Sequence, residues 1–473
     1  MGKIKYLLKN MALFSISNFV TKILVFLLVP LYTGVLTPYE YGIVDIMQVT
    51  MLLIVPALTM NIGEAALRFG IEYSDRRGEI FKIGNKYVIK SILYVIAACL
   101  VASFFANNEI RIYLLFFVLV YSANCFYEFY VLFFQGMEKV ESVVIGSITC
   151  TLITVGLNIY FLLVLRTGLY GYLYSQIAAF SVAAAVMYIV SKKNFGKGTE
   201  DKEAYKQLEK EMTTYSVPLI AYSTASWVNN ASDRYLVLLM CGAGVNGIYG
   251  VAYKIPAILM VFQRIFAQSW QISATKTHSE KDSEQFFTGM YKIYNMFMVL
   301  GCGFLIMIVR ILAFLMFKKE FFEAYRLVPP LLISVIFGAL TGFLGSICLA
   351  YKDSKSMGIA TGIGAVINVL LNIILIPHFA AMGASIATGI SYFTMCMMAL
   401  IFVKRHVTLK INIIRDIAAY ILLIAESIFV IMQLKFNIAI SLSIVFALCI
   451  IYFKELKEMV MTMISIIKRK QGI

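Results

Sequence analysis

The stretch GVLTPYEYG at Gly34–Gly42 has a counterpart 208 residues later, GAGVNGIYG at Gly242–Gly250. Both copies carry a Tyr-Gly pair at the same distance from the leading glycine. The same offset aligns two polar stripes within apolar segments: Ser15, Asn18 and Lys22 lie over Ser223, Ser226 and Asn230. A membrane chain made of two copies of one lobe is a common design for alternating access. We expect the glycines at both ends of each stretch to shape turns between paired helices.

A second repeat, at an offset of 214 residues, supports the duplication. Lys139–Ile159 (KVESVVIGSITCTLITVGLNI) lies over Asp353–Ile373 (DSKSMGIATGIGAVINVLLNI). The two segments share a serine, an isoleucine and a final Asn-Ile pair. The chain therefore contains two related halves.

Composition places the chain in a membrane. Hydrophobic residues make up 61% of the 473 residues and charged residues only 14%, whereas roughly a quarter of a soluble domain is charged. Apolar runs near the ~20 residues that span a bilayer recur along the chain. The first of them, 11–32, is too long for a signal peptide. The eight cysteines form no CxxC pair, so we expect buried thiols and no metal, disulfide or cofactor.

We predict an all-α polytopic membrane protein with about fourteen transmembrane helices. The apolar runs that define them are bounded by charged or Gly- and Pro-containing loops. Whether both of the last two helices span the membrane is left open. The expected ranges are 10–33, 43–66, 83–105, 112–134, 143–165, 170–190, 215–240, 247–271, 289–316, 326–350, 357–376, 383–403, 413–433 and 437–453.

The loops differ in charge. Most of the 41 Lys and Arg residues fall in one alternating set of loops, which includes 192–210 and 454–470. The positive-inside rule then puts both termini in the cytoplasm. This distribution accounts for the net charge of +15, so we expect no nucleic-acid partner.

Six predicted helices precede the charged segment 191–212 and six follow it, so both copies enter the membrane in the same orientation. We therefore predict two six-helix lobes, 1–190 and 213–403, joined by a cytoplasmic linker, 191–212. A pseudo-two-fold axis along the membrane normal would relate the lobes. Residues 404–473 add two helices and a basic cytoplasmic tail. The linker has room for a short surface helix over 201–212.

Charges inside membrane spans are costly and usually face a bundle interior or an aqueous cavity. Besides Glu128, Arg310 and Glu426, they concentrate in the first two helices of each copy. The candidate cavity residues are Asn18, Lys22, Asn230, Asp233, Arg234, Lys254 and Arg264, and the candidate ion-coupling residues are Asp45, Glu64 and Asp233. A mid-span lysine such as Lys22 has no membrane surface within reach. Arg264 can instead extend to the inner surface, and Asp233 can form a structural pair with Arg234.

The chemistry of these residues narrows the cargo. Lysine and arginine suit phosphates and carboxylates, so the inventory favours an anionic substrate over an organic cation. The embedded acids are suited to act as counter-ions or as H⁺ or Na⁺ sites. We predict no catalytic residues.

Several motifs resemble Wzx-type flippases of the polysaccharide-transporter branch of the MOP superfamily. No single motif is diagnostic, but their order and spacing extend over essentially the whole chain. They are Ser17-Asn18-Phe19, Lys22, Pro30-Leu31-Tyr32, Leu36-Thr37-Pro38-x-x-Tyr41-Gly42, Asp233-Arg234, Tyr249-Gly250-x-x-Tyr253-Lys254, Asn368-x-x-x-Asn372-x-x-x-Ile376-Pro377 and Gly383-Ala384-Ser385-Ile386-Ala387-Thr388.

The resemblance implies a flippase and not an enzyme. Such a protein moves an undecaprenyl-diphosphate-linked oligosaccharide from the inner to the outer leaflet of the bacterial cytoplasmic (inner) membrane, for O-antigen, capsule or exopolysaccharide synthesis. Charged residues of a central cavity, here Lys22, Arg234 and Lys254 by position, would engage the diphosphate. The implied partners are this lipid-linked oligosaccharide, the lipid bilayer, an H⁺ or Na⁺ counter-ion, and polysaccharide polymerase and chain-length proteins.

Other classes of protein remain as alternatives. A MATE-type drug or cation antiporter shares the twelve-helix core without the two extra helices, and a MurJ-type lipid II flippase also has fourteen helices. A membrane glycosyltransferase or polymerase generally carries a large outer loop, whereas the predicted outer loops are all short. A purely structural membrane scaffold would not need a mid-span lysine.

Overall fold

The computed structural model describes residues 26–191, 202–280, 282–433, 437–458 and 461. These residues form helices and connecting turns, with no strand among them. They include a π-helical segment, Ile159–Val164, and a 3-10 helix, Lys319–Arg326. The helices are α1 Val29–Val35, α2 Pro38–Leu58, α3 Ile62–Glu72, α4 Arg77–Phe105, α5 Asn108–Gly136, α6 Val140–Asn158, α7 Gly168–Ser191, α8 Lys202–Cys241, α9 Ala243–Ala252, α10 Pro256–Thr277, α11 Ser283–Met307, α12 Val309–Met316, α13 Val328–Ala350, α14 Ser354–Val403, α15 Ile413–Ile431 and α16 Asn437–Ile451.

The chain divides into two compact units, Met1–Val228 and Asn229–Ile473. In the first unit, α5 packs against α3, α4 and α7, and α6 packs along α7. In the second unit, α13 packs against α10 and α14, and α11 packs against α15 and α16. The two appended helices therefore belong to the fold of the second unit. The lobe and linker boundaries that were expected from the sequence stay predictions.

The repeated stretch explains how α2 begins. Thr37 caps the helix, since its Oγ1 accepts a hydrogen bond from the backbone N–H of Glu40 at 3.2 Å. The Glu40 carboxylate in turn accepts from the Thr37 N–H at 2.8 Å, and Pro38 occupies the first helical position. This reciprocal capping box stabilises the start of a helix.

The glycines of the two repeated stretches do not all lie in turns. Gly242, with φ of 86°, occupies the turn before α9, where a side chain would be strained. Gly42 and Gly250 are buried inside α2 and α9, and Gly34 lies in α1. The prediction that all four glycines shape turns is therefore wrong for these three.

Every predicted helix that falls on described residues has a helical counterpart, but the count of fourteen spans is not confirmed. Within the described ranges, eight helices are long and apolar enough to cross a membrane. A ninth span results if α9 and α10, which meet at a bend of 50°, are taken together. The protein is thus a multi-pass, all-helical membrane protein, and the larger count stays a prediction. The first predicted helix, 10–33, lies mostly outside the described residues.

The helix α14 contains a sharp bend. It runs for 50 residues and includes Pro377, and Ala380 has φ of 48° and ψ of −135°, outside the helical region. At 1.5 Å per residue, its 50 residues amount to about 75 Å of helix, enough for two bilayer crossings. Its two parts correspond to the separate helices expected at 357–376 and 383–403.

The helix α8 also differs from expectation. It is one helix of 40 residues, so 202–212 is its beginning and not a separate short helix. Leu208 and Met212 are fully buried there, and Glu209 accepts hydrogen bonds from Lys86 Nζ at 2.7 Å and from the Tyr87 hydroxyl at 3.0 Å. The segment is helical as expected, but it is not a separate surface helix. It continues without a break to Cys241, and two apolar residues at i, i+4 spacing give it one buried face.

Candidate functional site

The carboxylate of Asp233 is the centre of a polar cluster in the second unit. Asp233 is buried, with 4% of its surface exposed. Its Oδ2 accepts hydrogen bonds from the hydroxyls of Tyr249 at 2.5 Å, Tyr253 at 2.9 Å and Thr388 at 3.4 Å. Its Oδ1 accepts from the backbone N–H of Arg234 at 2.9 Å. We call Asp233, Arg234, Tyr249, Tyr253 and Thr388 the Asp233 cluster.

Three helices and one break position the cluster. Asp233 and Arg234 lie in α8, Tyr249 in α9, and Thr388 in the second part of α14. Tyr253 begins the break between α9 and α10, which ends where Pro256 starts α10. Because a proline has no backbone N–H to donate and its ring clashes with the carbonyl four residues earlier, the helix is interrupted there. The i, i+4 spacing of the two tyrosines brings their hydroxyls within 3.0 Å of each other.

The cluster places a cation beside the buried carboxylate. The guanidinium carbon of Arg234 lies 4.8 Å from the centre of the Tyr253 ring, within the range of a cation–π interaction. Arg234 itself is half-buried. Hydroxyl and amide donors stabilise the negative charge of Asp233, while the ring orients the positive charge of Arg234. The arrangement is suited to bind a small cation at the carboxylate and an anion at the guanidinium.

The structure brings two of the predicted cavity residues, Asp233 and Arg234, into one site. Lys254 follows Tyr253 directly in the break and is half-buried. Arg264 lies on α10 and is exposed, and its assignment to a cavity stays a prediction. Asn230 lies in α8 one turn before Arg234.

The other predicted site residues lie elsewhere. Asp45 is buried in α2, and Glu64 is half-buried in the first turn of α3, so both belong to the first unit. Lys22 and Asn18 lie outside the described residues. The described parts of the chain contain no group of three or more His, Cys, Asp or Glu residues that could hold a metal ion.

Sequence reasoning missed three members of the cluster. Tyr249, Tyr253 and Thr388 stand in family-like motifs, but they were not assigned to the site. Thr388 is 155 residues away from Asp233 in the chain. The signal that was present is the occurrence of Tyr-Gly-x-x-Tyr close behind Asp233-Arg234, although only the fold shows that the hydroxyls meet the carboxylate.

The sequence matches the model of the family described as polysaccharide biosynthesis protein over residues 7–273, which is 267 of the 473 residues. The chain belongs to this family. A comparison with curated proteins finds no match. The matched range covers the described residues of the first unit and includes Asp233, Arg234, Tyr249 and Lys254 of the second.

Several solved structures have the same fold as this chain. The lipid II flippase MurJ, in its inward closed conformation, superposes with a TM-score of 0.67 at 15% identity, covering 98% of this chain and 100% of MurJ. A multidrug resistance MATE family transporter of the MOP superfamily, facing inward, gives 0.63 at 12% identity, covering 84% and 95%. A MOP superfamily transporter from Pyrococcus furiosus gives 0.53 at 12% identity, covering 87% and 93%.

The superpositions establish the fold, but sequence identities this low do not identify the cargo. The chain has the all-helical fold of MOP-superfamily transporters and flippases, and its family is a polysaccharide biosynthesis family.

Proposed function

We propose that the protein moves an undecaprenyl-diphosphate-linked oligosaccharide from the inner to the outer leaflet of a bacterial cytoplasmic membrane. The oligosaccharide would be the repeat unit of a surface polysaccharide such as O-antigen, capsule or exopolysaccharide. Membership in a polysaccharide biosynthesis family supports a glycan cargo. Both termini are expected in the cytoplasm, because they belong to the basic set of segments that the positive-inside rule assigns to that side.

The observation that carries the proposal is the extent of the shared fold. Residues 404–473 are 70 of the 473 residues, or about 15% of the chain. Only 2% of the chain lies outside the superposition on the lipid II flippase. Most of α15 and α16 therefore lie within that shared fold. The MATE transporter is covered to 95% by only 84% of this chain. The chain is thus longer than the fold that it shares with the MATE transporter, whereas it matches the lipid II flippase over nearly its whole length. This difference supports a lipid-linked cargo.

The proposed mechanism is alternating access with the diphosphate held by embedded cations. Arginine pairs with phosphate oxygens through its planar fork of donors, and lysine acts as a compact point charge. Arg234 lies against Tyr253, and Lys254 follows in the same break. We infer that these two cations, with Lys22 of the first predicted helix, contact the diphosphate while the lipid chain stays in the bilayer.

Coupling to an ion would act through the carboxylate next to Arg234. A proton or Na⁺ at Asp233 would remove negative charge from the cluster and strengthen the binding of an anion at Arg234. By linkage, the anion would strengthen the binding of the cation equally. Asp45 and Glu64 of the first unit are further candidates for such a role. Polysaccharide polymerase and chain-length proteins would use the product in the outer leaflet.

The test is to deplete the protein in a bacterium whose surface glycan depends on it and to follow its lipid-linked intermediates. We expect one oligosaccharide diphospholipid to accumulate, accessible to a glycan-modifying enzyme only from the cytoplasmic side of inverted vesicles. Expression of the wild-type chain should restore its export. Accumulation of lipid II instead would assign the cargo of a lipid II flippase. Increased drug sensitivity with no lipid-linked intermediate would make the protein an antiporter.

A further inference from the structure

A cavity of about 310 Å³ lies within the first unit, between α2, α5 and α7. Its walls are mostly apolar, with residues such as Met47, Met51 and Leu52 on the α2 side. It shares no residue with the Asp233 cluster, which belongs to the second unit. The cavity is also distinct from the described part of the proposed diphosphate site, because neither Arg234 nor Lys254 lines it.

One carboxylate faces this cavity. Glu128 lies in the interior of α5, it lines the cavity, and its side chain is exposed to that space and not packed in the core. Within the described ranges, no side chain or backbone group forms a hydrogen bond or ion pair with the Glu128 carboxylate. A lone carboxylate in apolar surroundings is costly unless a cation or a proton neutralises it. The charge of Glu128 is therefore the feature that decides which ligand the cavity favours.

The remaining polar groups of the wall are neutral. Gln48 Nε2 donates a hydrogen bond to the Tyr172 hydroxyl at 2.8 Å, which links α2 to α7. Asn124 lies one turn before Glu128 on α5, and Gln176 lies one turn after Tyr172 on α7, so each shares a helix face with its neighbour. None of the described residues that line the cavity is cationic. The described part of the wall thus has one negative charge and no positive charge.

Size and lining then select the class of ligand. Small-molecule sites are typically about 300–1,000 Å³, mostly apolar, with a few polar groups that fix orientation. An anion such as a diphosphate would be repelled by Glu128. Magnesium and calcium require more oxygen ligands and more carboxylates than this wall offers. An organic cation, in contrast, has apolar surface for the wall, a charge for Glu128, and the rings of Tyr172 and Phe180 for cation–π contact.

We propose that the cavity of the first unit binds a small monovalent organic cation, with Glu128 as its counter-ion. The protein would thereby carry a second ligand site that differs in charge from its cargo site. Occupation of this site would bridge α2, α5 and α7, since residues of all three helices form its wall.

Equilibrium binding of radiolabelled tetraethylammonium to the purified full-length protein in lipid nanodiscs tests the proposal. We expect saturable binding by the wild type and an affinity that is lower by about 10-fold or more in Glu128→Gln, which keeps the shape and removes the charge. Glu109→Gln is the matched control, because Glu109 lies on the same helix at its exposed start and bonds to Tyr113 at 2.7 Å. This control should bind like the wild type.

A second variant distinguishes the effect of the Glu128 charge from the effect of the cavity volume. Leu52→Trp keeps Glu128 but fills the cavity, and Leu52 is 65% exposed, so the larger ring needs no repacking of the core. We expect this variant to lose binding, and Glu128→Asp to retain it. Absence of saturable binding by the wild type, or equal binding by Glu128→Gln, would overturn the proposal. So would an equal loss in Glu109→Gln, or binding of ²²Na⁺ through Glu128 without any binding of tetraethylammonium.

Discussion

The hydroxyl of Tyr249 donates a hydrogen bond of 2.5 Å to Oδ2 of Asp233. Tyr249 belongs to the Tyr-Gly pair that the duplication repeats from Tyr41, whereas the position of Asp233 is held by Val25 in the first copy. A residue that both copies share therefore orients a residue that only the second copy has. The repeated tyrosine serves the architecture, and in the second unit the same tyrosine also fixes a buried charge.

Removal of this hydroxyl should destabilise the second unit. In Tyr249→Phe the carboxylate of Asp233 loses a buried donor, which should lower the free energy of unfolding by about 1–3 kcal/mol. Denaturant unfolding in detergent measures the change. Tyr215→Phe is the control, because Tyr215 is 42% exposed and its ring contact with Phe69 survives the substitution. If both variants were equally stable, the hydrogen bond to Asp233 would contribute nothing.

Two glycine substitutions on α14 should act in opposite directions. A Cβ at Gly383 would lie 2.5 Å from the carbonyl oxygen of Leu375, across the bend at Ala380. Since that neighbour is backbone, Gly383→Ala should cost about 1–3 kcal/mol through overpacking. A Cβ at Gly362 would meet nothing within 4 Å, so Gly362→Ala should stabilise the helix by about 0.5–1 kcal/mol.

Melting temperatures of the two variants in one detergent provide the measurement. Because both variants replace glycine by alanine on α14, the gain in helix propensity is the same in each, and the difference between them reports the contact at Gly383. Stabilisation by Gly383→Ala would show that the two parts of α14 do not approach each other closely at the bend.

The turn before α14 should make stability depend on acid pH. The His406 ring, with Nε2 at 2.9 Å from Oδ2, and the Ser356 N–H, at 3.1 Å from Oδ1, lower the pKa of Asp353 to about 2. An unfolded aspartate has a pKa of about 4. The ionised carboxylate therefore stabilises the fold fully above about pH 4, and this stabilisation is lost as the pH falls towards 2.

Asp353→Asn isolates this contribution, because asparagine retains the helix cap and does not titrate. We expect the difference in melting temperature between wild type and Asp353→Asn to shrink as the pH falls from about 4 to 2. A difference that stays constant over this interval would exclude the Asp353 carboxylate as its source.

The beginning of α8 should become more dynamic when its contact with α4 is removed. Lys86 and Glu209 form an ion pair at 2.7 Å in which Lys86 is 41% exposed, so screening limits its contribution to at most about 1 kcal/mol. In Glu209→Gln, backbone amides of 202–212 should exchange with deuterium up to about 5-fold faster. Glu211→Gln is the control, since its partner Gln207 lies on the same helix. Equal exchange in both variants would mean that the Lys86–Glu209 ion pair does not stabilise this segment.

Apolar runs were sufficient to predict the helices but not the site. The segments expected at 83–105 and 112–134 lie inside α4 and α5, because apolar length alone determines a membrane helix. The Asp233 cluster depends instead on hydroxyls from α9, the break after it and α14, and contacts between distant helices leave no periodic pattern. Glu128 was recognised as embedded, but its cavity exists only where three helices meet. The bend at Ala380 follows from backbone geometry that Pro377 alone does not specify.

The embedded cations provide the most direct test of the proposed cargo. Charge-assisted hydrogen bonds contribute about 1.5–3 kcal/mol, so losing one contact to the diphosphate should slow flipping by about 10-fold or more. Lys22→Ala and Arg234→Gln should therefore greatly reduce surface glycan while leaving the protein inserted in the membrane. The measurement is surface glycan per amount of membrane-inserted protein, in a strain whose glycan depends on this chain.

Lys9→Ala is the matched control for Lys22→Ala, because Lys9 precedes the first apolar segment and is expected at the cytoplasmic surface. It removes the same charge without removing a cation from the span, so glycan should stay at the wild-type level. Normal glycan in Lys22→Ala would remove Lys22 from the mechanism. Normal glycan in Arg234→Gln as well would leave the Asp233 cluster with a structural role, since its hydroxyl bonds to the carboxylate do not depend on the guanidinium.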